Sequence, residues 1–578
     1  MPDLGLDRRS FFALCAAAGA GTPAFAEALW SRLSAQAPAT PAQAPQQEEP
    51  LRVSRGMVAD AEQLIGLQFT DAERDLMLRN LNNALRSYGQ LREVTLSNSV
   101  PPAIRFSPLL PGRTIPPPAR KPGRRSRRRV GRPASEEDLA FMSVVDLGEL
   151  VRTRQVSATE LTRLSLERLK RHGPGLLCVV NLTEERALRQ AEAADREIRA
   201  GRYRGPLHGI PWGAKDLLAV PGYPTTWGSP LYKDQVLNET ATVVERLDAA
   251  GAILVAKLTL GEFAQGDVWF GGMTRNPWKR DQGSSGSSAG PGAATAAGLV
   301  PFAIGSETLG SIVSPSTRNG VSGLRPTFGR VSRHGAMALS WTMDKLGPMC
   351  RSAEDCAVVL EHLVGPDGKD PTVEPLPYVW DPSRPLASIR IGYLKAAFDA
   401  DRATKSLDDT ALEALRGLGV DPVVVELPVG GVPVSALRII LNAEAAAAFD
   451  EITRTNQDDL MVQQTANAWP NSFRSARFIP AVDYIQAHRV RTVLMERMEK
   501  VFEQVDVFIT PSFGGNVLLT TNLTGHPALA MPSGFTAENT PVSISFIGRL
   551  FGEAELCRVG MAWQEATGWH QRRPGGFA

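Results

Sequence analysis

Cysteine and histidine are scarce, five and seven in 578 residues. No two cysteines form a CxxC pair and none stands near a histidine at metal-ligand spacing, so motifs for structural zinc or a dithiol redox centre are missing. Neither metal nor organic cofactor is expected. Charge of one sign is not in excess either: Lys plus Arg number 63 against 61 Asp plus Glu, and the whole-molecule field offers no reason for a nucleic-acid partner. Nor is there an apolar run of the about 20 residues that a permanent span needs. The nearest, 289–305, is interrupted by Pro291, Pro301 and several glycines. What remains, 43% hydrophobic and 21% charged residues, fits a soluble globular protein with a sizeable core.

The N-terminus has its own character. Asp7-Arg8-Arg9-Ser10-Phe11-Phe12 precedes the apolar run Ala13 to Gly21, and Ala24-Phe25-Ala26 follows. A twin-arginine start, a short apolar stretch and an A-x-A site make residues 1–26 an expected export signal, cleaved after Ala26, for a periplasmic or secreted protein. Cys15 follows Leu14, where a lipidation site wants a small residue. Residues 27–57, rich in Ala, Pro and Gln, read as a flexible tether. Across 58–112 a small helical extension is expected: Ala59, Leu64, Ile65, Leu67, Leu76, Met77, Leu81 and Leu85 recur at helical spacing, with Thr70 or Asp71 as a cap. Residues 113–134 read as a basic, Pro-rich linker, with nine Arg or Lys between 113 and 132 and no interleaved aromatic residue.

From 135 to 578 one continuous domain is expected. Ser157-Ala158-Thr159-Glu160 fits a capping box, predicting a helix through about Arg171. Short β-rich runs, Ala252 to Ala256, Val300 to Gly305, Ile389 to Tyr393, Val423 to Leu427 and Val505 to Thr510, alternate with helical stretches. That alternation predicts an α/β fold with a covered central sheet.

Between 205 and 350, Gly, Ser, Thr and Pro crowd together without the charge of a disordered tract. Gly283-Ser284-Ser285-Gly286-Ser287-Ser288-Ala289-Gly290-Pro291-Gly292 leads, through an Ala-rich stretch, to Ser306-Glu307-Thr308-Leu309-Gly310-Ser311. Small residues let backbone N–H groups approach a ligand, and glycine takes the positive φ of an anion-binding nest. Upstream, Lys215 ends the apolar, Pro-containing Gly209-Ile210-Pro211-Trp212-Gly213-Ala214. A lysine in apolar surroundings loses proton affinity and can serve as a base.

These segments together resemble the amidase signature family. Gly209-Ile210-Pro211 through Lys215-Asp216 is similar to its lysine motif, Gly305 to Ile312 to its nucleophile loop, and Gly320-Val321-Ser322-Gly323-Leu324-Arg325-Pro326-Thr327 to the segment closing the signature. Asp344 and Gly347-Pro348 match its usual continuation. Laid on the family pattern, Asn276-Pro277-Trp278 and Ser311 agree in putting the bridging serine at Ser287, 24 residues before the nucleophile. The resemblance implies a single large domain with a mixed sheet covered by helices on both faces. It also implies an amidase in which Lys215 takes a proton from Ser287, whose peptide bond is cis, and Ser287 from the nucleophile Ser311. Thr308, Leu309, Gly310 and Ser311 would form the oxyanion hole. Gly286, Ser288, Trp269, Phe270, Met337 and Trp341 are the expected contacts to a small-molecule amide. The chain departs from the pattern at Ser284 and Ser285, in place of Pro-Gly, at Ala289 and Pro291, in place of Gly and Ser, and at Leu309.

Rival readings remain. Gly286-Ser287-Ser288-Ala289-Gly290 satisfies a G-x-S-x-G elbow with Ser288 as nucleophile and His208, His334 or His526 as base, although the polar residues before it make a poor buried strand. The others are a catalytically inactive amidase scaffold and one component of a glutaminyl-tRNA amidotransferase, and a homodimer is open.

Overall fold

A computed structural model describes residues 13, 52–65, 67–94 and 129–577. The expected export signal apart from residue 13, most of the tether, residues 95–112 and the basic linker up to residue 128 lie outside the described residues. The described residues from 59 to 577 form one compact unit.

The unit is built on thirteen strands among the described residues: β1 (Val179–Leu182), β2 (Pro211–Lys215), β3 (Ile253–Leu258), the short hairpin β4 (Val268–Trp269) and β5 (Gly272–Met273), β6 (Phe302–Glu307), β7 (Ser322–Arg325), β8 (Lys345–Cys350), β9 (Ile391–Leu394), β10 (Val423–Val425), β11 (Val507–Pro511), β12 (Ala528–Phe535) and β13 (Pro541–Gly548). All but the hairpin join one sheet in the order β1-β3-β2-β6-β8-β7-β12-β13-β11-β9-β10. β2 runs parallel to both β3 and β6, whereas β8 is antiparallel to β6 and to β7, so the sheet is mixed as expected. Every residue of β2, β3, β6 and β8 is buried. Both faces are therefore covered, and the near-continuous apolar runs of these strands follow from that.

Local signals form what they predict. Ser157 and Glu160 make the reciprocal cap of the helix Ala158–Leu176. Its buried positions, among them Leu161, Leu166 and Leu169, fall on one face. Upstream, Thr70 rather than Asp71 caps the helix Asp71–Arg92: Thr70 Oγ1 accepts from Glu73 N (3.3 Å) and Glu73 Oε2 from Thr70 N (2.5 Å). This helix packs on Trp469–Ala476. There Arg474 reaches Glu73 (2.6 Å), Asp458 (2.7 Å) and Asp459 (2.7 Å), and Asn471 Nδ2 donates to Leu76 O (2.9 Å). No helix among the described residues is long and apolar enough to cross a membrane.

Candidate active site

Three parallel strands, β3, β2 and β6, finish at one end of the sheet, the place where ligands gather in α/β folds. Lys215 is the last residue of β2, and the loop Thr308–Ser311 leaves the end of β6. Ser287 and Ser288 precede the helix Ala289–Ala296, which feeds β6. Chain order thus delivers Lys215, Ser287 and Ser311 to one end of the sheet.

The Gly286–Ser287 peptide is cis. Gly286 permits a close approach, since a Cβ there would lie 1.7 Å from the carbonyl oxygen of Gly266. Lys215 Nζ, fully buried, lies 2.7 Å from Ser287 Oγ, 3.0 Å from Ser288 Oγ and 2.8 Å from Ser306 Oγ, with Ser306 O at 3.4 Å. No carboxylate among the described residues contacts the amine. Burial drives Lys215 to give up its proton well below the ordinary lysine value, and the more distant Asp344 and Glu307 only partly oppose this.

Ser311 is nearly buried, and its hydroxyl has no hydrogen-bond partner among the described residues. Its carbonyl accepts from Ser288 N (3.1 Å), which ties the two serine loops together. Glu307 fixes the far side of the turn by accepting the N–H groups of Ile312 (2.8 Å) and Val313 (2.9 Å), while Arg325 and Asn522 each donate to its other oxygen at 2.8 Å. Burial pushes the Glu307 carboxyl up, but Arg325 and Lys345 outweigh it and bring it to about 2. With Ile312 and Val313 engaged, the N–H groups of Leu309, Gly310 and Ser311 are left without a partner among the described residues. Gly310 has φ +90°, and a Cβ there would meet Ser314 Oγ at 3.0 Å. Free N–H groups on a glycine-bent loop beside a hydroxyl are what a developing oxyanion requires.

Beside this loop lies a cavity of about 390 Å³ whose wall includes Ser306, Thr308, Leu217, Met337, Leu339, Trp341 and Asp344. Of the expected substrate contacts, Met337 and Trp341 line it. Trp269 and Phe270 do not: they sit at the β4–β5 hairpin and pack on each other, rings 4.7 Å apart. Gly286 and Ser288 are also outside its wall.

Ser288 does not fit an elbow nucleophile. Its hydroxyl accepts from Lys215 Nζ and Ser306 N (3.1 Å) and donates to Ser306 O (3.1 Å), which fills its capacity. Two of the three candidate bases are engaged elsewhere. His208 Nδ1 accepts from Arg204 N (3.1 Å), and His526 is bonded to Thr524 Oγ1 (2.7 Å) and held by burial at about 3. His334 lies on the cavity wall. Ser306 lies within the nucleophile-loop motif, but the motif does not reveal its contact with Lys215. Its signal is the pairing of β2 beside β6, Ala214 opposite Ile304, which no local pattern encodes.

Residues 160–519 match the amidase family. The chain is 35% identical over 483 residues to a glutamyl-tRNA(Gln) amidotransferase subunit from Chloroflexus aggregans, covering 76% of this chain and 99% of that protein. It is 34% identical over 478 residues to the corresponding protein from Nitrosomonas europaea, covering 75% and 98%. Among solved structures, native peptide amidase from Stenotrophomonas maltophilia superposes with a TM-score of 0.68 at 31% identity, covering 76% of this chain and 99% of that one.

Proposed function

This chain belongs to the amidase family, and we propose that it hydrolyses a carboxylic amide of a small molecule to acid and ammonia or amine through an acyl-enzyme on Ser311. The observation that carries the reading is Lys215 Nζ at 2.7 Å from Ser287 Oγ, in a buried cluster of hydroxyls with no contacting carboxylate among the described residues.

Hydrogen-bond capacity assigns the protons. Ser288 already donates to Ser306 O, so it accepts an N–H of Lys215, and a second N–H goes to Ser306 Oγ. The lone pair of a neutral amine is then left for the Ser287 O–H. Ser287, having given its proton to Lys215, takes that of Ser311 as the Ser311 side chain turns toward it, a contact that tightens with substrate bound. Ser311 Oγ bonds to the amide carbon, and the oxygen charge falls to the N–H groups of Leu309, Gly310, Ser311 and, on the same loop, Thr308. The proton returns through Ser287 to the leaving nitrogen as the C–N bond breaks. Water, deprotonated by the same relay, attacks the ester carbon, the bond from that carbon to Ser311 Oγ breaks, and the relay returns the proton to Ser311 Oγ as the acid leaves. Residues 1–26 are proposed to export the chain, with mature protein beginning at Glu27. Mass spectrometry of the periplasmic product tests this, and an intact N-terminus there would refute it.

An amidotransferase component is the second reading, favoured by the 35% identity to the Chloroflexus aggregans protein. The purified chain alone decides. Release of ammonia or amine from simple amides, abolished by Ser311→Ala, supports the free-standing hydrolase, whereas activity only with partner chains and an acceptor supports the amidotransferase. Activity that survives Ser311→Ala defeats both.

A further inference from the structure

The wall of the cavity at Ser340 to Asp344 is held by a residue far from the chemistry. Glu444, on the helix Arg438–Ala448, is 4% exposed and makes four hydrogen bonds. Oε2 accepts from Ser340 Oγ (2.5 Å) and Thr342 N (3.0 Å), while Oε1 accepts from Thr342 Oγ1 (2.7 Å) and Tyr484 OH (2.9 Å). Arg491 adds two more to Thr342, at Oγ1 and at the carbonyl, both 2.8 Å. Between these anchored residues sits Trp341, 49% exposed, on the cavity wall and with its carbonyl accepting from Arg333 (2.8 Å). The same turn ends at Asp344, which accepts from Leu339 N (2.8 Å), Ser340 N (2.9 Å) and Thr308 Oγ1 (2.5 Å).

We propose that Glu444 is a positioning residue that sets the Ser340–Asp344 turn and so fixes Trp341 as the wall of a subsite for a large apolar substituent of the amide. The inference rests on the hydrolase reading for its substrate, but the geometry of the wall stands apart from the chemistry. The subsite is largely apolar: Leu217, Ala264, Met337, Leu339, Trp341 and Leu346 line it, with Arg333, Lys369 and Asp370 also on its wall. Its volume of about 390 Å³ admits an aryl or medium-length alkyl group, and acetamide leaves it mostly empty. A carboxylate is the suitable anchor because the groups facing it include the backbone N–H of Thr342, which can only donate. Alanine at 444 orphans that N–H and the hydroxyls together and frees the turn. Glutamine keeps one acceptor oxygen for Thr342 N, and the hydroxyls rotate to meet its amide.

Binding isolates this from turnover. In the Ser311→Ala protein, calorimetry with 4-phenylbutyramide and with acetamide is compared before and after adding Glu444→Ala, Glu444→Gln or Thr342→Val. The expected result is a loss of about tenfold in affinity for 4-phenylbutyramide with Glu444→Ala and with Thr342→Val, no change for acetamide, and recovery in Glu444→Gln, a size of effect typical of one displaced apolar wall. Equal weakening of both amides, or unchanged binding of 4-phenylbutyramide in variants that retain the parent melting transition, overturns the proposal. Should Glu444→Ala fail to fold, Thr342→Val alone decides. Failure of the hydrolase reading looks different: the protein with Ser311 intact binds 4-phenylbutyramide and cleaves neither amide.

Discussion

Replacing Lys215 by methionine tests the site where the structure is most explicit. Methionine fills a similar length without a nitrogen, so the Ser287 hydroxyl loses the base within its reach. Positioned general-base catalysis contributes roughly 10²–10⁴-fold, or about 3–5 kcal/mol of barrier, and Lys215→Met is expected to lower kcat/KM by that amount. Ser288 retains its bonds to Ser306 N and O, whereas Ser287 Oγ and Ser306 Oγ each lose a partner. An orphaned buried hydroxyl costs about 1–3 kcal/mol, offset in part because methionine needs no desolvation of an amine. The sign of the pH effect follows from burial. With the folded-state value of Lys215 below its unfolded value, the unfolded chain holds the extra proton between the two. Stability from this group therefore increases as pH rises through that window toward the ordinary lysine value, and activity climbs with pH as the lone pair becomes available. Ammonia release measured from neutral to alkaline pH, alongside urea denaturation, reads both. A Lys215→Met protein within about tenfold of wild type, with an unchanged pH profile, refutes a base role for this amine.

Gly310→Ala should preserve the fold at a cost of about 1–3 kcal/mol for a side chain at φ +90°, yet reduce kcat by about 10²-fold as the loop N–H groups turn from the oxyanion; kcat near wild type on a variant with normal melting would remove this loop from the chemistry. Glu307→Gln leaves Arg325 buried without its partner and is expected to destabilise the chain by about 3–5 kcal/mol, seen as a lower urea midpoint. Because Glu307 sits at about 2 in the folded chain, below its unfolded value, its contribution is full above the ordinary carboxylate range and is lost as pH falls toward about 2. The difference between wild type and Glu307→Gln should shrink over that descent, and a constant difference contradicts the assignment.

Local chemistry was legible along the chain. Ser157 and Glu160 stand three apart and meet within one turn, and the strand runs are displaced by only a few residues at their ends. The lysine and serine motifs were equally readable, because each depends on a short stretch. What stayed hidden depends on register across the sheet or on contacts between distant segments. Ser306 meets Lys215 because β2 and β6 are neighbours. Arg474 meets Glu73, and Glu444 meets Thr342, across hundreds and about a hundred residues respectively, between stretches of ordinary helical pattern. Trp269 and Phe270 illustrate the converse: nearness to the motifs along the chain suggested the pocket, but a tight hairpin folds the two rings on each other.

The adjacent pair Lys215-Asp216 poses the sharpest electrostatic question, since a carboxylate beside the base would keep it protonated. At an effective dielectric of 20, opposite charges 4 Å apart attract by about 4 kcal/mol, which is about three pKa units. The fold removes Asp216 from this role. Its Oδ1 takes Lys257 Nζ at 2.7 Å, and its Oδ2 takes Thr226 N (2.9 Å) and Thr226 Oγ1 (2.5 Å). Lys257, on β3, also donates to Thr225 Oγ1 (2.9 Å) and Pro224 O (3.1 Å), so both members of that pair are engaged away from Lys215. Lys215 is left with three serines and no contacting carboxylate among the described residues. Two lysines equally inaccessible to water thus differ in what faces them: burial lowers the proton affinity of both, but Lys257 has the Asp216 carboxylate at 2.7 Å to oppose it, whereas Lys215 contacts serine oxygens.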